Sequence, residues 1–139
     1  MSTNLELLKI LTDNLTLRDE RIRKNEYVLR RFFNNSSQLL CILDSDGIFL
    51  KVNKQWFKRL GWIPKDLKHR NFLDFILESD KEKSSVNFKL TESKHIVKFV
   101  SHFLTKEGKI KKFQWTLTPD REIGCIYAMI KILKHDGEE

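Results

Sequence analysis

The chain has 139 residues, enough for one domain with a short appendage. Of these residues 40% are hydrophobic and 32% are charged, a balance typical of a globular protein and not of a disordered or fibrous one. No apolar run approaches the roughly 20 residues of a membrane-spanning helix, and the N-terminus lacks the apolar core of a signal peptide. The formal net charge of +7 leaves acidic proteins and nucleic acids as partner classes to be weighed.

The first 33 residues predict one long helix without glycine or proline. Thr3 and Glu6 have the spacing of a capping box. Apolar residues recur every seven positions, which is the spacing of a coiled-coil seam: Met1, Leu8, Leu15, Ile22 and Leu29. Arg18 and Asn25 interrupt the companion positions of this heptad. Two interpretations stay open: a helix that pairs with a second copy, which we favour, and an amphipathic helix that packs on its own domain.

Two short strands follow, over residues 39–43 and 48–52, with Asp46-Gly47 between them as a tight hairpin turn. From Asn53 onward the apolar spacing changes from that of a strand to that of a helix. Gly61 predicts the end of this helix, because glycine readily adopts the left-handed conformation that terminates helices. The sequence therefore predicts a strand-turn-strand-helix unit.

The next stretch, up to residue 92, predicts short turns and then a longer helix that opens with a second capping box, Ser79 with Glu82. The third, fourth and fifth strands are predicted at 96–105, 110–118 and 123–133. Pro119 and Asp120 are predicted to close the fourth strand. The last strand is apolar on both faces and therefore needs cover on both. We expect the internal helices to cover one face, and the N-terminal helix or its dimer mate the other.

This order of elements resembles that of PAS domains, the small sensory modules of signalling proteins. Four stretches carry the resemblance in compatible order: Asp44 to Asn53, Leu60 to Leu67, Phe72 to Asp80, and Lys106 to Ala128. The resemblance implies an α+β fold with a five-stranded antiparallel sheet and helices on one face. We expect a dimerisation helix at 1–33, a PAS domain at 34–134 and a disordered tail at 135–139.

The chain departs from the family pattern in three places. Leu77-Glu78 stands where the family usually has His-Pro, and His102 replaces a common arginine on the third strand. Residues 131–133 replace the closing Asp-Ile-Thr that links relatives to a C-terminal effector, so we expect output through the N-terminal helix. Met1 and the charged tail suggest a complete gene product.

Cofactor-binding relatives have signatures that can be sought in this chain. Flavin photoreceptors carry a reactive cysteine where this chain has Phe72, after His69-Arg70-Asn71, so an adduct-forming flavin is not expected. Haem-binding members use a histidine on the long helix; none lies there, and His95 just beyond it is a weak candidate. The histidines and cysteines lack metal-site spacing, and no catalytic motif occurs. We expect no metal and no enzyme activity.

The many aromatic residues allow two interpretations, a packed core or a cavity for a small apolar or aromatic ligand. The candidate ligand-site residues are Trp56, Phe72, Phe75, Phe88, Phe99, Phe103, Phe113, Trp115 and Tyr127. The candidate dimer seam consists of Leu8, Leu15, Ile22 and Leu29.

We therefore expect a cytoplasmic, homodimeric PAS module that relays ligand or partner binding through its N-terminal helix to a signalling effector. The self-contacts would involve that helix and the outer sheet face. Two alternatives are a non-sensing adaptor with a filled core, and the truncated input domain of a sensor histidine kinase or cyclase in two-component regulation.

Nucleic acid is not expected as a partner, because acidic residues interleave with the basic ones on the N-terminal helix, although Lys109, Lys111 and Lys112 form a denser patch. Cys41 and Cys125 lie in apolar runs, which indicates buried free thiols in a reducing compartment.

Overall fold

The computed structural model describes Glu6, Glu20, Lys24 and residues 26–134. The chain divides into two compact units, Met1–Asn35 and Ser36–Glu139. In the first unit the described residues are helical, and residues 26–35 form a continuous stretch, here called α1. The predicted capping box at Thr3 and most of the predicted seam lie outside the described residues: Met1, Leu8, Leu15 and Ile22. Leu29 lies within α1, and its side chain is exposed.

The second unit contains a five-stranded sheet in the order β2-β1-β5-β4-β3, and all four strand pairings are antiparallel. The strands are β1 (Leu39–Asp44), β2 (Phe49–Val52), β3 (Val97–Leu104), β4 (Ile110–Asp120) and β5 (Cys125–Leu133). The predicted five-stranded antiparallel sheet is therefore confirmed. The final strand lies at the centre of the sheet, between β1 and β4. Its residues Ile126, Ala128 and Ile130 are buried against the core, whereas Tyr127 and Met129 on its other face are exposed.

The turn between β1 and β2 requires glycine for two reasons. Gly47 has a φ of 88°, which lies in the left-handed region that other residues rarely adopt. A Cβ atom at this position would also lie 2.9 Å from the Phe72 ring. The carboxylate of Asp44 accepts hydrogen bonds from the backbone N–H groups of Asp46 and Ile48, both at 2.9 Å. The turn is thus held by side chain and backbone together.

Three short helices lie between β2 and β3: α2 (Gln55–Leu60), α3 (Pro64–Leu67) and α4 (Lys81–Lys89). Three 3-10 turns accompany them, at Phe72–Phe75, Glu78–Asp80 and Leu90–Glu92. The predicted end of α2 at Gly61 is confirmed, because this residue has a φ of 81° and its N–H bonds the Phe57 carbonyl. The predicted capping box of Ser79 and Glu82 is wrong. Helix α4 begins at Lys81 without a side-chain cap.

The predicted end of the fourth strand is also wrong, because β4 continues through Pro119, which lies opposite Ile126 on β5. Strand β3 pairs with β4 only as far as Leu117. Beyond that residue β4 has a single neighbour, and a proline is tolerated there as it is on an edge strand. The last strand in turn begins at Cys125, so Ile123 belongs to the preceding turn and is exposed.

One hydrophobic core joins the helices to one face of the sheet. Alternate residues of β3 and β4 are buried, as the pleat of a strand requires. On α4 the buried positions are Ser84 and Phe88, and Thr91 follows in the adjoining 3-10 turn, whereas Val86 and Leu90 are exposed. No helix in the described part of the chain has the length and apolar character needed to cross a bilayer.

Candidate functional site

The core between the helices and the sheet is built from aromatic rings. Ten rings form one connected network in which neighbouring centroids lie 4.7 to 6.2 Å apart. Its members are Phe49, Trp56, Trp62, Phe72, Phe75, Phe88, Phe99, Phe103, Phe113 and Trp115. Phe99 and Trp115 lie opposite each other on β3 and β4, and their rings are stacked at 5.8 Å. Direct cross-strand pairs of this kind stabilise a sheet face.

The structure brings together eight of the nine predicted ligand-site residues in this network, and all eight are buried. The list of candidate ligand-site residues lacks two members of the network, Phe49 and Trp62. Phe49 lies opposite Leu43 in the first hairpin, and both side chains are buried. The burial of β2 does not alternate, because its first and last residues are buried and the two between them are exposed, so its pattern carried no signal for Phe49. Trp62 follows the end of α2, and its indole N–H donates to the Leu104 carbonyl at 2.8 Å.

Tyr127 is the ninth residue, and its predicted place in the ligand site is wrong. Its neighbours Ile126 and Ala128 are buried, whereas Tyr127 points to the opposite face of β5 and is 40% exposed. Its hydroxyl donates to Asp120 Oδ2 at 2.8 Å. This hydrogen bond lowers the pKa of the Asp120 carboxyl and raises the pKa of Tyr127. Strand alternation therefore separates Tyr127 from the aromatic core.

The centre of the aromatic network is bonded to the start of β1. The indole N–H of Trp56, which is fully buried, donates to the Leu40 carbonyl at 3.0 Å. The buried side chain of Asn53 accepts from Leu40 N–H at 3.2 Å and donates to the Gln38 carbonyl at 2.9 Å. We call these three side-chain hydrogen bonds the Asn53–Trp56 latch. The segment that they hold follows α1 directly in the sequence.

A second set of hydrogen bonds closes the free edge of β3. Asp80 Oδ2 accepts from the backbone N–H of His102 at 2.7 Å and lies 2.8 Å from its ring Nδ1. Leu77 N–H donates to the His102 carbonyl at 2.9 Å. Partial burial raises the pKa of Asp80, but the bonds from His102 and the charge of Lys83 outweigh it, so this pKa lies below its usual value. The Asp80 carboxylate, which could have capped α4, thus bonds the edge of β3 instead.

The face of the sheet opposite the aromatic core carries an apolar strip. Leu40 lies opposite Met129, and Ile42 lies opposite Tyr127. Met129 is 47% exposed. We call these four side chains the β1–β5 strip. On the adjoining β4 the central outward-facing residues are polar, whereas Ile110 at the start of the strand is apolar and exposed. Contiguous exposed apolar surface of this kind commonly marks an interaction site.

The histidines considered for cofactor chemistry lie away from the core. His95 is exposed in the loop before β3, and His69 is exposed with a φ of 70°. Within the described ranges, no group of three or more His, Cys, Asp or Glu side chains is placed to hold a metal ion. Cys41 and Cys125 are free and buried, and burial raises the pKa of the Cys41 thiol. A thiol with a raised pKa is a poor nucleophile at neutral pH.

Comparison with known proteins agrees with this geometry. The family model of the PAS fold matches residues 27–124. The PAS domain of an HTR-like protein from Haloarcula marismortui superposes with a TM-score of 0.74 at 20% identity, covering 85% of this chain and 99% of that one. A PAS domain from a two-component sensor histidine kinase gives a TM-score of 0.68 at 17% identity, covering 80% and 98%.

A third solved structure is the PAS domain of the RpfR quorum-sensing receptor from Cronobacter turicensis in complex with C12:0. It gives a TM-score of 0.63 at 14% identity and covers 72% of this chain and 97% of that one. No curated protein matches the chain significantly. Structural likeness at these identities establishes the fold, while the family model covers well over half of the chain. The chain belongs to the PAS family of sensory and signalling modules.

Proposed function

We propose that this chain is a homodimeric sensory module that relays a change in its aromatic core to the N-terminal helix. The observation that carries the proposal is the position of β1. Trp56 of the aromatic network bonds its Leu40 carbonyl, while the Leu40 and Ile42 side chains belong to the β1–β5 strip. Because side chains alternate along a strand, a shift of β1 in response to the core would also move the opposite face.

Self-association is supported by apolar side chains that are exposed in the described part of the chain. On the sheet these are Tyr127 and Met129, and on α1 they include Leu29 and Phe32. A two-fold dimer buries the same patch on both subunits, so one apolar strip is enough to form an interface. The predicted heptad supports the helix as a second self-contact, since seam residues repeat every seven positions.

The relay itself requires that the aromatic core can adopt two states with different affinities for a ligand or partner. The Asn53–Trp56 latch supports such coupling, because it connects the core to the residues that follow α1 in sequence. We propose that the module has no catalytic activity of its own and acts on a separate signalling effector. The PAS domain of a two-component sensor histidine kinase among its structural neighbours supports this class of partner. Two free thiols support a cytoplasmic location.

The proposal is tested by measuring the molar mass of the purified chain in solution by light scattering over a range of concentrations. We expect a dimer for the wild type. Met129→Asp should shift it toward monomer, because a charge would be buried in the interface without a partner. Leu29→Asp tests the helical contact in the same way. Ile96→Asp is the matched control, since Ile96 is exposed outside both surfaces and should leave the dimer intact.

A wild type that stays monomeric at every concentration would refute the dimer. A dimer that resists Met129→Asp but not Leu29→Asp would assign self-association to α1 alone. Equal losses with Ile96→Asp would show that the effect is general destabilisation, and the β1–β5 strip would then have no special role.

A further inference from the structure

Three lysines lie on the outer face of the sheet, on β3, β4 and the end of β5. Lys98 of β3 lies opposite Thr116 on β4, and Lys131 of β5 lies opposite Gln114 on β4. Lys112 is on β4 itself. Each lysine alternates with buried residues of its own strand, so all three side chains point away from the aromatic core. We call Lys98, Lys112 and Lys131 the lysine triangle.

The register of the strands gives the size of the lysine triangle. Thr116, which marks the row of Lys98, is four residues from Lys112, or about 14 Å along the strand. Gln114 lies midway between them and marks the row of Lys131. Lys98 and Lys131 are exposed, and Lys112 is half-buried. The three lysines therefore enclose a patch slightly wider than an α-helix, whose diameter is about 10 Å.

Within the described residues, no carboxylate balances the charge of the lysine triangle. None of its three ammonium groups forms an ion pair there. The acidic residue at an outward position of β4 is Asp120, at the far end of the strand. Its two carboxylate oxygens already accept from the Ile123 N–H at 3.2 Å and from the Tyr127 hydroxyl at 2.8 Å. The lysine triangle thus presents positive charge that a partner can compensate.

Two kinds of partner fit this surface poorly. A second copy related by a two-fold axis would bring the same three lysines against each other, and like charges repel. The continuous stretch of α1 does not supply the missing charge, because it contains Arg30 and Arg31 against Glu26. Nucleic acids are commonly bound with aromatic side chains on which bases stack, whereas the Phe and Trp rings of β3 and β4 lie in the core. An acidic protein surface remains.

We propose that the lysine triangle is the docking surface for an acidic amphipathic helix of the signalling effector. Carboxylates eight residues apart on a helix are separated by about 12 Å, close to the spacing of the Lys98 and Lys112 rows. The apolar side of the helix would cover Val100, which is half-buried on the outer face of β3. This inference rests on the proposed function, which supplies the effector, and it places that contact beside the β1–β5 strip.

The test uses a designed helical peptide with glutamates on one side and leucines on the adjoining side, and a matched peptide with glutamines in place of the glutamates. Each is titrated into the isotope-labelled full chain at low ionic strength, and backbone amide shifts are followed by NMR. We expect the glutamate peptide to shift the amides of β3 and β4, and to bind about tenfold more tightly than the glutamine peptide. Added salt should weaken its binding, because the contacts lie at the surface.

Replacing all three lysines tests the surface directly. An exposed ion pair contributes about a twofold to fivefold change in affinity, so the combined variant Lys98→Gln, Lys112→Gln and Lys131→Gln should bind the glutamate peptide about tenfold more weakly or worse. The matched control is Lys89→Gln, an exposed lysine on α4, which should leave the affinity unchanged. Lys98→Gln and Lys131→Gln alone alter exposed side chains and should keep the wild-type thermal midpoint, so their loss of affinity is not unfolding.

Three results would overturn this docking surface. One is no binding of the glutamate peptide at low ionic strength. Another is an equal loss of affinity with Lys89→Gln, which would show general attraction to a basic protein. The third is a single-stranded oligonucleotide that binds more tightly than the peptide through the same lysines, which would assign the surface to nucleic acid. The combined lysine variant should keep the wild-type molar mass, so failure here leaves the dimer standing, and a monomeric wild type can still be titrated.

Discussion

Replacing Asn53 with alanine removes both side-chain hydrogen bonds that this residue makes to the start of β1. Its carbonyl accepts from Leu40 N–H at 3.2 Å, and its amide donates to the Gln38 carbonyl at 2.9 Å. Asn53 is buried, so solvent does not readily replace the lost partner. Each neutral hydrogen bond contributes about 1 kcal/mol, and a buried group left unpaired costs about 1–3 kcal/mol. We expect Asn53→Ala to lower the free energy of unfolding by about 2–4 kcal/mol.

This loss is measured by urea denaturation followed by circular dichroism, and it should appear as a lower midpoint with an unchanged slope. Hydrogen exchange adds a local readout, since the Leu40 amide should lose more protection than amides of β4. Asn87→Ala is the matched control. Asn87 lies on α4 and donates to the Lys83 carbonyl in an exposed position, so its loss should stay within about 0.5 kcal/mol.

A loss below about 1 kcal/mol for Asn53→Ala would refute the energetic role of the latch, because it would match a single solvent-exposed hydrogen bond. Global destabilisation without preferential exchange at Leu40 would refute the local argument. In that case β1 would be held by its pairing with β5, and the Asn53–Trp56 latch would no longer support the proposed coupling between the core and α1.

Gly47→Ala should destabilise the domain by about 1–3 kcal/mol, through its positive φ and the contact with Phe72. Gly108→Ala shares the φ of 88° but has no atom within 4 Å, so equal losses in thermal denaturation would refute the contact. Asp80 has a lowered pKa in the folded state, so its bonds with His102 contribute stability above the unfolded pKa that is lost as the pH falls through the folded one. We expect stability to fall less steeply in the acid range for Asp80→Asn, and identical slopes would contradict this.

The strands were predictable because the alternation of inward and outward side chains is visible within a few consecutive residues. Alternation identified β4, and the Asp46-Gly47 pair identified the first hairpin, since few dipeptides adopt such a turn without strain. The network of aromatic rings was predictable for the same reason, as its members occupy the inward positions of these elements. Phe49 shows the limit of the approach, because the burial of its four-residue strand does not alternate and the pairing of that strand with β1 is irregular.

Other features depend on residues that are distant in sequence. The Ser79 capping box failed because Glu78–Asp80 form a 3-10 turn and α4 begins at Lys81, which makes Asp80 the N-cap residue. The Asp80 carboxylate does not cap the helix but bonds His102, 22 residues away. In β5 both faces are apolar, so pattern alone did not place Tyr127, and only the packing of the helices made one face the interior. The seam at residues 8, 15 and 22 stays a prediction, since these positions lie outside the described residues.

The sequence by itself determined the order of elements, the first turn and the aromatic composition of the core, because these follow from side-chain spacing over a few residues. Only the tertiary structure decided which strands are neighbours, which face of the sheet the internal helices cover and which buried hydroxyl lacks a hydrogen-bond partner among the described residues. Those properties arise from contacts between segments far apart in the chain. Ser84 and Thr91 are both hydroxyl residues on the buried face of one helical segment, and the difference between them is visible only once the surrounding donors and acceptors are in place.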